Sequence, residues 1–514
     1  MAHPALPPAR SVAVDPTQDE LRRWALELLP GIVETEFGNL DYPARILARL
    51  TPSTFYVSDV PVSGRQTMSR AEAAEWAARQ DAHIAERDMV HVRGYLGPDP
   101  DFRTGTQLYI ERAHANIPAM QQQLYFPADD AWSPEFSVIY TPTLRAPEHH
   151  AECLILVDLE RGVTRVLGSD YFGESKMGSL RMWNLLVHRR GGLAMHSGAK
   201  TFPAGSTADG EERLALIIGL SGTGKTTTTF REVRGSLPVQ DDFIALMPGG
   251  TVHASENGCF AKSFGLDPVD EPTIHGGATR PDAWLESVAV DASGRVDFHD
   301  ESRTANGRVT FPLANIRHRD PRGLPRASYL FILNRNSDII PAVARLTREQ
   351  AATYFMLGET EGTAAGGSHE AGKSLRVPGT NPFWFEEESS MGNRFLELLD
   401  TFDLEVYLFN TGRIGGPASD GRGKDVRIVD SAAVQEGILD GTIVWEPDPD
   451  FGYEVATSVP GIEDPELLRP RLLYEREGRL DEYGRIVERL HRDRRAYLEG
   501  FAALDPRILA GLAA

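Results

Sequence analysis

The sequence predicts an α/β protein of two or three domains, and three observations lead there. Its 514 residues are enough to bury more than one hydrophobic core. Short β-rich segments alternate with stretches of helical periodicity. One apolar run, RLALII, passes directly into a glycine-rich loop and a further helical stretch.

Taken in order, the first fifteen residues are rich in Pro and Ala and read as a loose tail. DPTQDELRRWALELLP follows as a helix, with Asp15 or Thr17 as cap and Leu21, Trp24, Ala25 and Leu28 on one face. SRAEAAEWAARQDAHIAERD repeats that pattern, with Ser69 as cap. From about Val90 the segments MVHVRGYL, TQLYIERA, EFSVIYTP, ECLILVDL and VTRVLGSDYF carry the alternation and short apolar runs of a mixed sheet. SLRMWNLLVHRRGG is a helix ending at Gly191–Gly192. A second strand-rich region opens with RLALIIGL and includes FIALMPGGTVHAS, VAVDASGRVDFHD (ASGR as hairpin turn) and GRVTFPLANI. ETEGTAAGGSHEAGKSLRVPGTNP is long, small and aperiodic, the composition of a functional loop or a disordered segment. The last sixty residues read as helical.

Composition narrows the function classes. Lys and Arg number 53 and Asp and Glu 74, a formal charge of −21, which argues against nucleic-acid or anionic-membrane partners while leaving room for a local basic pocket. Cys153 and Cys259 are the two cysteines, so neither a disulfide framework nor a zinc cluster is expected, and a reducing cytoplasm fits. No apolar run is long enough to span a bilayer, and the start lacks a signal-peptide core.

GLSGTGKTT satisfies G-x-x-x-x-G-K-[ST] with Gly219, Gly224, Lys225 and Thr226. Glycines allow the amides of Gly219, Leu220, Ser221, Gly222, Thr223, Gly224, Lys225, Thr226 and Thr227 to curl around phosphate oxygens, and the next helix offers its positive end. Lys225 reaches β- and γ-phosphates, and the Thr226 hydroxyl suits a nucleotide-borne magnesium. Downstream, LPVQDDFIAL sets Asp241 and Asp242 at a strand end, where carboxylates beside a phosphate loop hold or orient a metal.

Seven stretches, the loop and the Asp pair among them, occur in a telling order: YFGESKMGSLRMWNLL, LAMHSGAKTF, GLSGTGKTT, QDDFIAL, ENGCFAKSF, NGRVTFPLANI and VYLFNTGRIGG. Together they resemble the ATP-dependent phosphoenolpyruvate carboxykinases. LTREQAATYFMLGETEGTAAG also looks like that family's approach to its mobile lid. The resemblance runs from about residue 55 to the C-terminus and is patchy before residue 150.

The resemblance implies a two-domain fold, an N-terminal α/β domain over 16–205 and a C-terminal one over 206–514. The phosphate loop lies in the second, a lid spans about 358–382, and the active site occupies an interdomain cleft. It implies ATP, Mg2+ and a second divalent metal, often Mn2+, with oxaloacetate as the small carboxylate substrate. Decarboxylation leaves an enolate whose oxygen attacks the γ-phosphate, so metals and cations in a dry pocket must hold the developing charge.

By the same resemblance Arg65 and Tyr171 place the substrate, Arg65 gripping its carboxylate through paired hydrogen bonds. Lys176 and Arg308 neutralise developing charge. His196, the histidine of the family's SMHCSAN, ligates the second metal with Asp242, and Asp241 stands behind them. Lys262, in ENGCFAKSF, contacts nucleotide phosphates.

Several positions depart from the family. Its GEMKKG reads GESKMG here, so Met177 replaces a lysine that serves as a neutral-amine ligand to manganese. A thioether cannot serve a hard cation in that way. The outcome is a weakened site, water or Lys176 in the vacant position, or no second metal. Ser197 replaces a cysteine, and Ala432 falls where the family packs an arginine on the base. The leading expectation is a divergent ATP-dependent phosphoenolpyruvate carboxykinase. Two alternatives stay open: a phosphate-loop kinase for another small-molecule or protein acceptor without decarboxylation, and a nucleotide-binding regulator without turnover.

Overall fold

The computed structural model describes residues 5–62, 64–362 and 373–512. The chain divides into two compact units, Met1–Arg190 with His253–Arg322, and Gly191–Val252 with Gly323–Ala514. The single boundary expected near residue 205 is thus replaced by repeated crossings, for a reason visible in the strand pairing. Leu193–Phe202 pairs antiparallel with the strand Arg213–Ile218 that precedes the glycine-rich loop, so it belongs with the second unit. Gly258–Lys262, Arg308–Pro312 and Trp284–Glu286 pair in turn with Leu40–Tyr42 of the first.

The first unit holds a mixed nine-stranded sheet. Along it run Ser11–Val14, Asp88–Leu96, Thr104–Glu111, Phe136–Thr141, Val163–Leu167, Leu154–Asp158, Thr54–Val57 and Thr67–Met68. The five β-rich segments read from the sequence all contribute strands to it. Helix Phe172–Arg189 lies close against it, because Gly178 brings its backbone to Val138: a Cβ there would stand 2.8 Å from Cγ2. Helix Gln18–Leu28 is closed by a reciprocal box between Thr17 and Glu20, which selects Thr17 over Asp15 as the cap. Leu21 and Ala25 are buried as expected, but Leu28 is exposed and Leu29 takes the inward position. Ser69 caps Arg70–Ile84 by accepting from the Glu72 amide.

In the second unit the sheet order passes from Phe243–Leu246 through Leu193–Phe202, Arg213–Ile218, Ala327–Asn334, Glu405–Asn410 and Val343–Leu346 to Glu454–Ser458. Arg213–Ile218, Ala327–Asn334 and Glu405–Asn410 are parallel neighbours. Their apolar runs feed a core around Ile217, Phe331, Phe409, Val343 and Val434, as expected of parallel strands covered on both faces. Glu359–Glu361 and Ser374–Arg376 pair as an antiparallel ladder at the foot of the expected lid; its middle, 363–372, lies outside the described residues. Among the described residues no helix is long and apolar enough to cross a membrane.

Candidate active site

In the second unit, the strand Arg213–Ile218 ends at Gly219 and the helix Lys225–Phe230 begins after Gly224. Gly222 and Gly224 have φ of 86° and 85°, values that favour glycine and turn the chain back on itself. Gly219 has no room for a side chain, since a Cβ would lie 3.0 Å from that of Leu333. Thr411, from the VYLFNTGRIGG stretch, pins the loop by donating its hydroxyl to the Thr223 carbonyl at 2.8 Å.

Five predicted polar residues meet at this junction. Lys225 Nζ donates to the Asp241 carbonyl at 2.6 Å and stands 3.9 Å from Asp242 Oδ1. The Thr226 hydroxyl donates to Asp241 Oδ2 at 3.1 Å. His196 Nε2 lies 3.0 Å from Asp242 Oδ1, and its Nδ1 lies 2.9 Å from the Thr380 carbonyl. Strand register brings His196 and Asp242 together, because His196 is opposite Phe243 and Ser197 N donates to the Asp242 carbonyl.

Both ring nitrogens of His196 therefore face acceptors. With a proton on Nδ1 for the Thr380 carbonyl, Nε2 meets a carboxylate that a second proton or a divalent cation must bridge. The 3.0 Å separation also suits adjacent ligands of an octahedral cation with bonds of about 2.1 Å. The residues thus fit a cation. Among the described residues no group of three or more His, Cys, Asp or Glu is arranged to hold a metal, so this pair is what those residue types supply.

The other candidates lie in the first unit. Tyr171 was expected in strand-like surroundings, but it is the residue that opens helix Phe172–Arg189. Its side chain offers no cap. Instead Glu286, from strand Trp284–Glu286, accepts the Phe172 amide at 2.7 Å. Burial drives the Glu286 carboxyl well above its ordinary range, despite that bond and the Arg308 charge. Burial likewise raises the Tyr171 phenol, with Arg308 opposing.

Lys176 Nζ forms a 2.8 Å ion pair with Glu256 and lies 5.1 Å from the Phe260 ring centroid. The Arg308 guanidinium lies 5.0 Å from the same ring, donates to Asn306 Oδ1 at 2.8 Å, and faces Lys262 across the strand pair. Its buried Nε has no hydrogen-bond partner among the described residues. Arg65 is half-buried on the turn before Thr67–Met68 and shares an electrostatic neighbourhood with Arg49, Arg181, Glu174 and Tyr171.

Phe260, Glu256, Glu286 and Arg49 were not singled out from the sequence. Phe260 and Glu256 fall inside ENGCFAKSF, whose resemblance to the family was the available signal. Ala432 packs at the edge of the second unit's apolar core.

A family model described as phosphoenolpyruvate carboxykinase matches residues 56–465. The chain is 32% identical over 408 residues to the phosphoenolpyruvate carboxykinase (ATP) of Mesorhizobium japonicum, covering 76% of this chain and 73% of that protein. It is 31% identical over 414 residues to the one from Aeropyrum pernix, covering 77% and 78%. With phosphoenolpyruvate carboxykinase (ATP) 1 of Moorella thermoacetica the identity is 29% over 467 residues, 86% of each chain. The chain belongs to the phosphoenolpyruvate carboxykinase family, in its ATP-dependent branch.

Proposed function

We propose that this chain converts oxaloacetate and ATP to phosphoenolpyruvate, carbon dioxide and ADP. The observation that carries the reading is the junction at which Lys225, Thr226, Asp241, Asp242 and His196 converge, in a chain of this family.

The bond between the methylene carbon and the terminal carboxylate of oxaloacetate breaks, releasing carbon dioxide and leaving the electron pair on an enolate. The enolate oxygen bonds the γ-phosphorus as the bond to the β-phosphate oxygen breaks, leaving ADP. Amides of Gly219–Thr227 and the Lys225 ammonium hold the phosphates, and Lys262 adds a further cation. Arg65 and Tyr171 orient the carboxylate. Arg308 and Lys176 face charge as it develops on enolate and phosphoryl oxygens, where fixed cations act most strongly.

Thr226 and Asp241 would hold the Mg2+ of the nucleotide, and His196 with Asp242 a second divalent cation such as Mn2+. Such ions, when bound, supply positive charge beside the phosphoryl and enolate oxygens. The ion pair of Lys176 with Glu256 favours a vacant position over Lys176 as the replacement for the lysine that Met177 displaces. The second site is therefore the weaker.

Incubating the purified protein with oxaloacetate, ATP, Mg2+ and Mn2+ should yield phosphoenolpyruvate and ADP in equal amounts. ATP consumption on another acceptor without phosphoenolpyruvate would overturn the proposal in favour of a kinase.

A further inference from the structure

Lys200 lies in the strand Leu193–Phe202 and is fully buried. Its Nζ donates to the Thr228 carbonyl at 2.8 Å and to the Arg231 carbonyl at 3.3 Å. Both carbonyls belong to the C-terminal end of the phosphate-loop helix Lys225–Phe230. The strand approaches that helix closely because of Gly198, where a Cβ would stand 3.1 Å from that of Thr229. The Nζ also lies 5.3 Å from the Phe202 ring centroid. Among the described residues no carboxylate pairs with Lys200. The family motif SMHCSAN has asparagine at the matching position, which could cap the carbonyls without a charge.

A buried ammonium without a counter-ion is costly, and a neutral donor would satisfy the same carbonyls. What the charge adds is a positive end to a helix whose opposite end faces phosphate. Six residues span about 9 Å, within the Debye length of about 10 Å at moderate salt.

We infer that Lys200 is a positioning residue of the phosphate loop, closing the carboxyl end of its helix and strengthening the grip of the other end on nucleotide phosphates. The inference rests on the reading of Gly219–Thr226 as a nucleotide loop.

One consequence separates this role from mere packing. Burial, reinforced by repulsion from Arg231, pushes the Lys200 ammonium down to about 7. Arg231 is the charged group acting on it; the paired residues on the flanking strands, Ala215 and Pro238, carry no charge. An anionic phosphate chain on the loop favours the ammonium, so nucleotide binding takes up protons near neutral pH, and by reciprocity binding weakens as pH rises.

Calorimetric titration of the full chain with MgADP at pH 7.5, in buffers of low and high ionisation enthalpy, tests this. The expected result is uptake of about half a proton per nucleotide, and an affinity that falls at least about threefold from pH 6.5 to 8.5. Lys200→Met should abolish most of the uptake and flatten the pH dependence while leaving His196 in place. Equal uptake in wild type and Lys200→Met, or none in wild type, overturns the role of Lys200. Absence of uptake in the wild type overturns it even where Lys200→Met fails to fold, and Lys200→Asn, the family's residue, then serves as the second variant. Absence of any MgADP binding to the wild type would overturn the nucleotide reading itself.

Discussion

Lys176 and Glu256 form a 2.8 Å ion pair whose side chains are only 2% and 4% exposed. A buried pair of this kind gains little over an apolar replacement, yet removing one member leaves a charge stranded in a medium that solvates it poorly. Glu256→Ala should therefore destabilise the protein by about 3 kcal/mol. Combining it with Lys176→Met should recover part of that loss. Denaturant titration of the double-mutant cycle checks both, and additive effects would exclude coupling.

Asp41 gives a stability signature with a defined sign. It is 3% exposed and accepts the Val288 amide at 3.0 Å. Burial outweighs that bond and the Arg303 charge and pushes its carboxyl from 3.8 up to about 7. Between those values the folded chain keeps a proton that the unfolded chain has released, so this group lowers stability as pH rises, with the loss complete above about 7. At about 1.4 kcal/mol per pH unit, the effect is at most about 4 kcal/mol across the window. Asp41→Asn keeps an oxygen for Val288 and never ionises. Urea unfolding should show it gaining on the wild type from pH 5 to pH 8.

What could be read from the sequence was local. The phosphate loop and the Asp241–Asp242 pair declare themselves because strand, glycines, Lys225 and Thr226 are contiguous. His196 and Lys176 are legible only by their spacing within a family pattern. The start of helix Phe172–Arg189 was missed because its first amide is capped by Glu286, 114 residues further along. Nothing adjacent to Tyr171 announces that. Phe260 meets Arg308 through strand register and Lys176 from the helix Phe172–Arg189, and the return of residues 253–322 to the first unit likewise depends on a five-stranded sheet assembled from distant segments.

Gly173 illustrates such a dependence at a single atom. The Tyr171 ring folds back over it, so that a Cβ would meet Cζ at 2.6 Å and the hydroxyl oxygen at 2.8 Å. Gly173→Ala should displace the phenol and leave the loop of the other unit untouched. KM for oxaloacetate should rise on the order of tenfold, with MgADP affinity unchanged. Equal losses for both ligands would mean that the helix, and not Tyr171 alone, had moved.

If the proposed second cation site follows the family pattern that GESKMG resembles, Met177 stands in for a lysine ligand, so the reverse substitution should restore a donor. In the proposed site His196 and Asp242, 3.0 Å apart, would give that cation one nitrogen and one carboxylate, and Lys176 pairs with Glu256. Met177→Lys should tighten Mn2+ binding by at least about tenfold, read by the free-Mn2+ resonance in electron paramagnetic titrations without substrate. The gain should shrink in Met177→Lys/His196→Ala, where Asp242 is left to share the ion with the added amine. Met177→Leu is the control for packing: it fills similar volume, lacks a donor, and should leave Mn2+ affinity where the wild type has it. Tighter binding in Met177→Leu would show that sulfur hinders the site sterically, and unchanged affinity in Met177→Lys would place residue 177 outside the coordination sphere.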